Sequence, residues 1–453
     1  MTVITNNIPD LLQIELTYAC NLNCPFCYNP RRDNKIDILK IDNLVNKISE
    51  IGIPHVYLIG GEPTILGVEK INEYINKLSK KSSVVLVTNA YERMENLSDK
   101  LAYIGISLHG YNMLSHEKVN NVKGSYNRTL DNIKYYKSIG IRIRCVIVLT
   151  GINYNIIDKL ILRCILAGAD EIFIDRYEDG GIGSKNSSKL GLKPSNDQFR
   201  EALTKIINVR NMNLISKESI SFGTAIPFCV DSRLFEENLL SFCGAGLDFC
   251  AVNPDGELRI CNQSEHSYGN IFDKDIDEIW NDRNLNSYRD YSWLSEPCKS
   301  CKLVDVCQAG CRVDANCGDD YCVDYAVKEN IDKEILDNID AINRGELKYV
   351  NVENNRLDID LNNKYLCISD YLKVNEYKDE IYMVTRYQGV NIGQYEYDII
   401  SYLLETEIFT LDELYSKFKQ FDHNSIQNFI NLLLNIEAVY IINKDWIWKT
   451  KLD

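Results

Sequence analysis

The sequence predicts an α/β protein whose first domain is a partial (β/α)6 barrel, followed by a small cysteine-rich domain and a C-terminal α+β domain of winged-helix type. Three observations predict it. Six near-continuously apolar runs alternate with amphipathic stretches between residues 11 and 178, nine cysteines crowd residues 243 to 322, and residues 361 to 449 pass from strand-like to helix-like patterning. At 453 residues the chain exceeds one ordinary core, so several domains are expected.

Taken in order, the runs are LLQIELT (11 to 17), HVYLIGG (55 to 61), SVVLVTN (83 to 89), YIGISLHG (103 to 110), IRIRCVIVLT (141 to 150) and EIFIDRY (171 to 177). Such runs suit strands buried on both faces of a parallel sheet. Between them KIDNLVNKISEIG and TLDNIKYYKSIG end on Gly52 and Gly140, placed to cap helices before the next strand. In parallel barrels chemistry gathers at the C-terminal strand ends, and there the polar residues fall: Cys20, Gly60 to Pro63, Asn89, Ser107 and His109. DGGIGSKNSSKLG (179 to 191) reads as a loop and residues 195 to 210 as a helix. Residues 243 to 322 hold too little aliphatic content for a core of their own, and a turn at Asn253-Pro254-Asp255-Gly256 folds a hairpin there. A charged helix covers 326 to 345; two or three strands, three short helices and a closing strand complete the chain. The divisions are the barrel at 1–215, the cysteine-rich domain at 216–326, a helical linker at 327–360 and the last domain at 361–453.

With 45% hydrophobic and 25% charged residues and a mean hydropathy of -0.24, no run of about 18 apolar residues suggests a membrane span. MTVITNNIPD lacks the regions of a signal peptide, so a cytoplasmic location is expected. A net charge of -15 argues against nucleic acid and anionic lipid as partners. Sixteen cysteines in a reducing compartment point to metal or cluster ligation.

Cys20, Cys24 and Cys27 are spaced C-x3-C-x2-C, with Tyr28 directly after. A zinc knuckle is the bland alternative, but zinc sites favour paired C-x2-C units. Three thiolates on a cubane leave one iron open to a chelating substrate. CNLNCPFCY followed by GGEP at the next strand end resembles the radical S-adenosylmethionine (radical SAM) superfamily. The resemblance implies that the open iron binds SAM, whose reductive cleavage yields a 5'-deoxyadenosyl radical that abstracts hydrogen from a substrate, with an electron donor such as flavodoxin or ferredoxin. It further implies that Gly60 and Gly61 admit the methionyl group closely, that Glu62 pairs with its ammonium and that Pro63 stiffens the turn. Tyr28 is expected near the adenine, and Thr88, Asn89 and Ser107 at the carboxylate or ribose. Asn120 stands where related barrels often carry an arginine, so contacts of that arginine do not transfer.

The second cysteine field, Cys243-x12-Gly256-x4-Cys261 then Cys298-x2-Cys301-x5-Cys307-x3-Cys311 and finally Cys322, is similar to the SPASM domain, an auxiliary-cluster module. The resemblance implies two auxiliary 4Fe-4S clusters, three per chain in all. Cys243, Cys261 and Cys311 would hold the first, with Cys250 a candidate fourth ligand; Cys298, Cys301, Cys307 and Cys322 would hold the second, Cys317 being a rival to Cys322. Cys145, Cys164, Cys229 and Cys367 lie in apolar surroundings and read as small core residues. Asn262 follows Cys261 where sulfatase-maturing relatives carry an aspartate base, which disfavours formylglycine formation.

Residues 361 to 449, including VNIGQYEYDIISYLLETEIFTLDELYSKF, resemble the RiPP recognition element, which binds a precursor's leader as an added strand. A purely structural or DNA-binding winged helix is the alternative. Together the resemblances imply a peptide maturase that installs an oxidative crosslink, thioether or C-C/C-O, in a ribosomally made precursor. Side-chain oxidation or epimerisation is a second reading, and a non-enzymatic iron-sulfur redox sensor that binds peptide or DNA a third.

Overall fold

The computed structural model describes residues 6–442 except 33–34, 292, 314–315, 318–319, 322, 329 and 350–360. Its centre is a sheet of parallel strands: β1 (Leu11–Glu15), β2 (His55–Ile59), β3 (Ser83–Thr88), β4 (Leu101–Ser107), β5 (Ile143–Leu149), β6 (Glu171–Arg176) and β7 (Ile220–Phe222). On the far side of β1 it continues through β8 (Phe249–Val252), parallel to β1, and then antiparallel β9 (Glu257–Arg259) and β10 (Gly269–Asn270). The six expected runs are β1 to β6. The boundary at residue 215 falls inside this sheet, because β7 and the hairpin β8–β9 both join it.

The pleat sorts each strand's residues by face. Leu12, Val56, Val84, Ile104, Cys145 and Ile172 are buried on the outer face. Against it stand helices α1 (Ile38–Ile51), α2 (Val68–Leu78), α3 (Met113–Asn120), α4 (Ser125–Ser138), α5 (Ile157–Ala167) and α7 (Asn196–Arg210), while α6 (Gly181–Leu190) lies against the cysteine loop. Asp37 caps α1 by accepting from Lys40 N (3.1 Å), and Gly52 ends it at φ +78°, as the sequence suggested. The inner face carries Tyr57, Val85, Tyr103, Arg144 and Phe173, which line a cavity of about 570 Å³ at the strands' N-terminal ends. There the Arg144 guanidinium lies 4.1 Å from the Tyr103 ring centre and 3.8 Å from that of Phe173, and pairs with Glu171 at 2.5 Å.

The segment expected to be a loop at 179–191 is helix α6. Its glycines and serines are poor helix formers, and tertiary ties override them: Ile182 N donates to Asn29 O (2.9 Å) and Gly183 N to Cys27 O (2.8 Å).

Short helices α8 (Arg233–Glu236), α9 (Ile276–Trp280), α10 (Arg283–Arg289), α11 (Val304–Cys307) and α12 (Tyr325–Lys328) and a small hairpin, β11 (Asn316–Cys317) with β12 (Asp320–Tyr321), fill the cysteine-rich region. Helix α13 (Lys333–Arg344) follows. The last unit has four strands rather than two or three before its helices: β13 (Tyr365–Ile368), β14 (Lys373–Tyr377), β15 (Glu380–Val384) and β16 (Gly389–Ile392). Then come α14 (Gln394–Thr406), β17 (Ile408–Phe409), α15 (Leu411–Lys417), α16 (His423–Asn435) and β18 (Val439–Ile442). β14–β15–β16 form one antiparallel sheet and β17–β13–β18 another, around a separate core that includes Leu366, Ile399, Leu414 and Leu433.

This unit docks on the N-terminal ends of the barrel strands. His55 donates through Nε2 to Thr385 O (3.2 Å), Ser83 Oγ to Arg386 O (2.8 Å), Tyr371 OH to Leu101 O (2.8 Å) and Tyr387 OH to Glu171 Oε1 (3.1 Å). Burial lowers the His55 imidazole to about 4, so it is neutral at physiological pH. At Gly389 a Cβ would stand 2.2 Å from Pro54 Cβ. Gly389→Val is therefore expected to cost about 1–3 kcal/mol through overpacking, read as a lower thermal midpoint and faster release of a C-terminal fragment in limited proteolysis.

Candidate active site and auxiliary cluster sites

β1 leaves the sheet through Leu16 to Cys20, and the GGEP turn after β2 runs beside it. Gly61 N donates to Thr17 O (2.6 Å) and Glu62 N to Ala19 O (2.8 Å). A Cβ at Gly60, whose φ is +138°, would lie 2.5 Å from Thr17 O, and one at Gly61 would lie 2.1 Å from Ala19 O. The close approach that the glycines permit is thus made by the cysteine loop's own backbone. Pro63 starts a short 3-10 helix at residues 63–66.

Glu62 is buried and accepts four hydrogen bonds. Thr64 N (3.1 Å), Thr64 Oγ1 (2.7 Å) and Thr88 Oγ1 (2.6 Å) reach Oε1, and Asn89 N reaches Oε2 (2.8 Å). Expected as a partner for an ammonium group, it is first a tie between the ends of β2 and β3. Asn89 Nδ2 continues the tie to Asn21 Oδ1 (2.8 Å), and Tyr28 OH donates to Gly60 O (3.1 Å). Six of the eight expected SAM-site residues, Tyr28, Gly60, Gly61, Glu62, Thr88 and Asn89, are therefore tied by hydrogen bonds, and Pro63 lies in the turn they fix. Ser107 is half-buried at the end of β4, and its hydroxyl makes no hydrogen bond among the described residues.

Burial pushes the Cys20 thiol up to about 12 and raises Cys24 and Cys27 as well, with neighbouring cysteine charges adding to Cys20 and Cys24. Arg32 opposes this. Its guanidinium donates to Asn23 Oδ1 (2.8 Å) and Cys24 O (2.5 Å) and favours ionisation of all three thiols. Leu22 N donates to Cys20 Sγ (3.4 Å). No three His, Cys, Asp or Glu side chains among the described residues converge where one metal ion would sit. A cubane places each thiolate on its own iron, and three cysteines of one loop whose thiols feel one another's charge and that of Arg32 fit such a ligand set.

Sequence reasoning missed Arg32, and it missed His109 as a support for the loop. The Phe26 ring meets His109 edge-on at 4.8 Å, and burial holds His109 and its neighbour His116 neutral at about 3 and 4. Asn120, at the arginine position, is turned inward: it donates to Ser125 Oγ (2.8 Å), and its carbonyl accepts from Asn23 N (3.1 Å).

Beyond the hairpin β8–β9, Cys243 lies close enough to Cys261 for its charge to raise the Cys261 thiol, which burial already pushes to about 12. Cys311 is buried, its N–H donating to Asp324 Oδ2 (2.9 Å). Cys250 is placed apart. It pairs in register with Leu12 on the outer face of the sheet, and only burial and Arg289 act on its thiol. Cys298, Cys301 and Cys307 line one apolar pocket. Cys322 lies outside the described residues, as does the side chain of Cys317.

Between the first triad and Cys261 stands a buried pair, Glu15 with Arg259. Burial raises the Glu15 carboxyl to about 7 against the pull of Arg259, and its charge raises both Cys27 and Cys261. Its signal in the sequence was an acid inside the apolar run LLQIELT.

Residues 14–163 match the family model of the radical SAM superfamily and residues 243–302 that of an iron-sulfur cluster-binding domain, SPASM. A PqqA peptide cyclase of Bradyrhizobium diazoefficiens is 25% identical over 333 residues, 69% of this chain and 84% of that protein. One of Gluconobacter oxydans is 25% identical over 324 residues, covering 68% and 86%. The fold is similar to that of Streptococcus suis SuiB bound to its precursor peptide SuiA (TM-score 0.56, 20% identity, 71% of this chain and 76% of that one). It also resembles anSMEcpe with bound AdoMet (0.54, 18%, 76% and 99%).

Gly61→Ala forces the cysteine loop off the GGEP turn. We expect the anaerobically reconstituted variant to lose about four irons per chain, one cubane, while keeping those of the cysteine-rich region.

Proposed function

We propose that this chain, a radical SAM enzyme in which a SAM- and 4Fe-4S-binding domain is joined to a SPASM domain that carries auxiliary clusters, modifies a ribosomally made precursor peptide by oxidative crosslinking. The observation that carries the proposal is the juxtaposition, across Glu15 and Arg259, of the first cysteine triad and the Cys243–Cys261 region at the mouth of an open barrel. The relatives that act on a peptide by name support the same reading. When bound, SAM and its cluster supply a 5'-deoxyadenosyl radical.

Cys20, Cys24 and Cys27 would hold that cluster. Gly60, Gly61, Glu62 and Pro63 would hold the methionyl group, Thr88, Asn89 and Ser107 would serve it or the ribose at the adjoining strand ends, and Tyr28, bonded to Gly60 O, would lie near the adenine. Loss of one hydrogen atom from the peptide, then of one proton and one electron, joins two of its atoms. An auxiliary cluster would supply the one-electron acceptor; Cys243, Cys261 and Cys311 would hold the first, and Cys298, Cys301 and Cys307 with a fourth cysteine the second. The proton needs a base, and Asn262 cannot serve. The carboxylate of Asp175, on the inner face of β6, accepts no hydrogen bond among the described residues, and burial raises it to about 6 against the field of Arg144. We assign it as the acceptor. The joined atoms, a thioether or a C-C or C-O link, depend on the peptide.

The C-terminal unit is read as the winged-helix-like leader module. β16 is an edge strand with Val390 exposed, and a leader added along it would gain main-chain hydrogen bonds. Free thiols at the described cysteines suit a cytoplasmic enzyme served by flavodoxin or ferredoxin. No described helix is long and apolar enough to cross a membrane.

The test is anaerobic incubation with SAM, reductant and the peptide of a short neighbouring reading frame, following deoxyadenosine and peptide mass. A loss of two hydrogens per modification is expected; deoxyadenosine with uptake of solvent deuterium and no mass loss would instead establish epimerisation. Asp175→Asn is expected to form deoxyadenosine while lowering crosslinked product by about 100-fold or more, the contribution of a general base. The carboxyl is raised from its usual 3.8, so its contribution to stability is complete below that value and is lost as pH rises through about 6. The thermal midpoint of Asp175→Asn should gain on that of the parent between pH 4 and 7.

A further inference from the structure

The last cysteine that the SPASM pattern supplies to the second auxiliary cluster comes from its closing segment, and the structure sets one further thiol, Cys229, in the pocket of the other three. The 3-10 helix Phe228–Val230 follows the last barrel strand, β7, and packs against the loop that bears Cys298, Cys301 and Cys307. Phe228 N donates to Cys307 Sγ at 3.4 Å, so the residue preceding Cys229 is bonded directly to one of these cysteines. Cys229 O accepts from Asn338 Nδ2 of α13 at 2.9 Å, which fixes the segment from its other side. Ile339 and Ile342 of the same helix close the pocket.

We propose that Cys229 is a thiolate ligand of the second auxiliary iron-sulfur cluster, completing a four-cysteine site with Cys298, Cys301 and Cys307. The four line one pocket whose remaining walls are apolar side chains such as Pro227, Leu303 and Val304. The sequence offered Cys229 as a small core residue, and it is buried as one. Ordinary core cysteines, however, do not face three others. Burial and then the charges of Cys307, Cys298 and Cys301, in that order, raise its thiol, so these three are the charged groups that surround it. As thiols, the four sulfurs would sit in an apolar pocket with few donors. As thiolates on a cubane they are each bound to iron, and the pocket excludes water from the cluster. The ligand would come from the barrel side of the chain, so assembly of this cluster would lock the SPASM domain to the barrel.

The proposal rests on the auxiliary-cluster reading, and the experiment separates the two. Full-length chains with the first triad replaced by alanine are reconstituted anaerobically, and iron is counted per chain alongside the electron paramagnetic resonance of the reduced protein. Three further versions carry Cys298→Ala, Cys229→Ala or Cys229→Ser. Cys298→Ala is expected to lose about four of about eight irons, and Cys229→Ala to lose the same four. Cys229→Ser, which keeps the side chain's size, is expected to fold with an unchanged thermal midpoint and a reduced spectrum of altered g values. Loss of iron from Cys298→Ala with full iron and an unaltered spectrum in both Cys229 variants overturns the role of Cys229. Zinc in place of iron in the Cys298-intact protein overturns the auxiliary-cluster reading itself.

Discussion

The mouth of the barrel depends on burying the Glu62 carboxylate with no cation against it among the described residues. An ionised carboxylate out of water costs several kcal/mol unless donors replace its hydration. Here the donors come from the turn after β2 and from the end of β3, and Asn89 hands the connection on to Asn21 in the cysteine loop. Three segments that must be rigid for a cofactor to bind are therefore held by one carboxyl group, which burial raises and these donors lower. The two glycines before it let the strand exits approach until their backbones bond directly.

The same logic joins the domains. Arg176 at the end of β6 is fully enclosed and pairs with Glu178 (2.9 Å) and with Asp324 (2.5 Å), which also accepts from the N–H of Cys311. Removing one member would strand buried charge, a cost of about 3–5 kcal/mol. The cysteine-rich region has little apolar content of its own, and it relies on this anchor, on the shared sheet and on its metal sites for definition.

Strands β1 to β6 were legible because a parallel sheet hides both faces and leaves continuous apolar runs. The turn at residues 253–256 was legible because only certain residues make it, and Asn253 Oδ1 indeed accepts from Asp255 N and Glu257 N (both 2.9 Å). β7 was not, since three residues carry no period. α6 was not, because its composition opposes a helix and its support comes from carbonyls of the cysteine loop far earlier in the chain. Spacing counted Cys250 with Cys243 and Cys261, whereas the pleat of β8 turns it toward Leu12. Glu15 was visible as an acid in an apolar run, but its partner lies 244 residues away. For the site, residue types and order could be read in the chain, while the supporting cations, Arg32 and Arg259, could not.

The C-terminal unit sits under the barrel, at the end opposite the cysteine triad. β4 and β5 have seven residues each, so floor and mouth stand roughly 23 Å apart at about 3.3 Å per residue. On the leader-binding role proposed for this unit, a peptide held at the floor would have to climb that height along the outside wall before any residue reached the mouth. The barrel would then work as a ruler. Side chains within about seven residues of the held segment would be out of reach whatever their chemistry, and selection among identical residues in one peptide would follow from length before it followed from sequence.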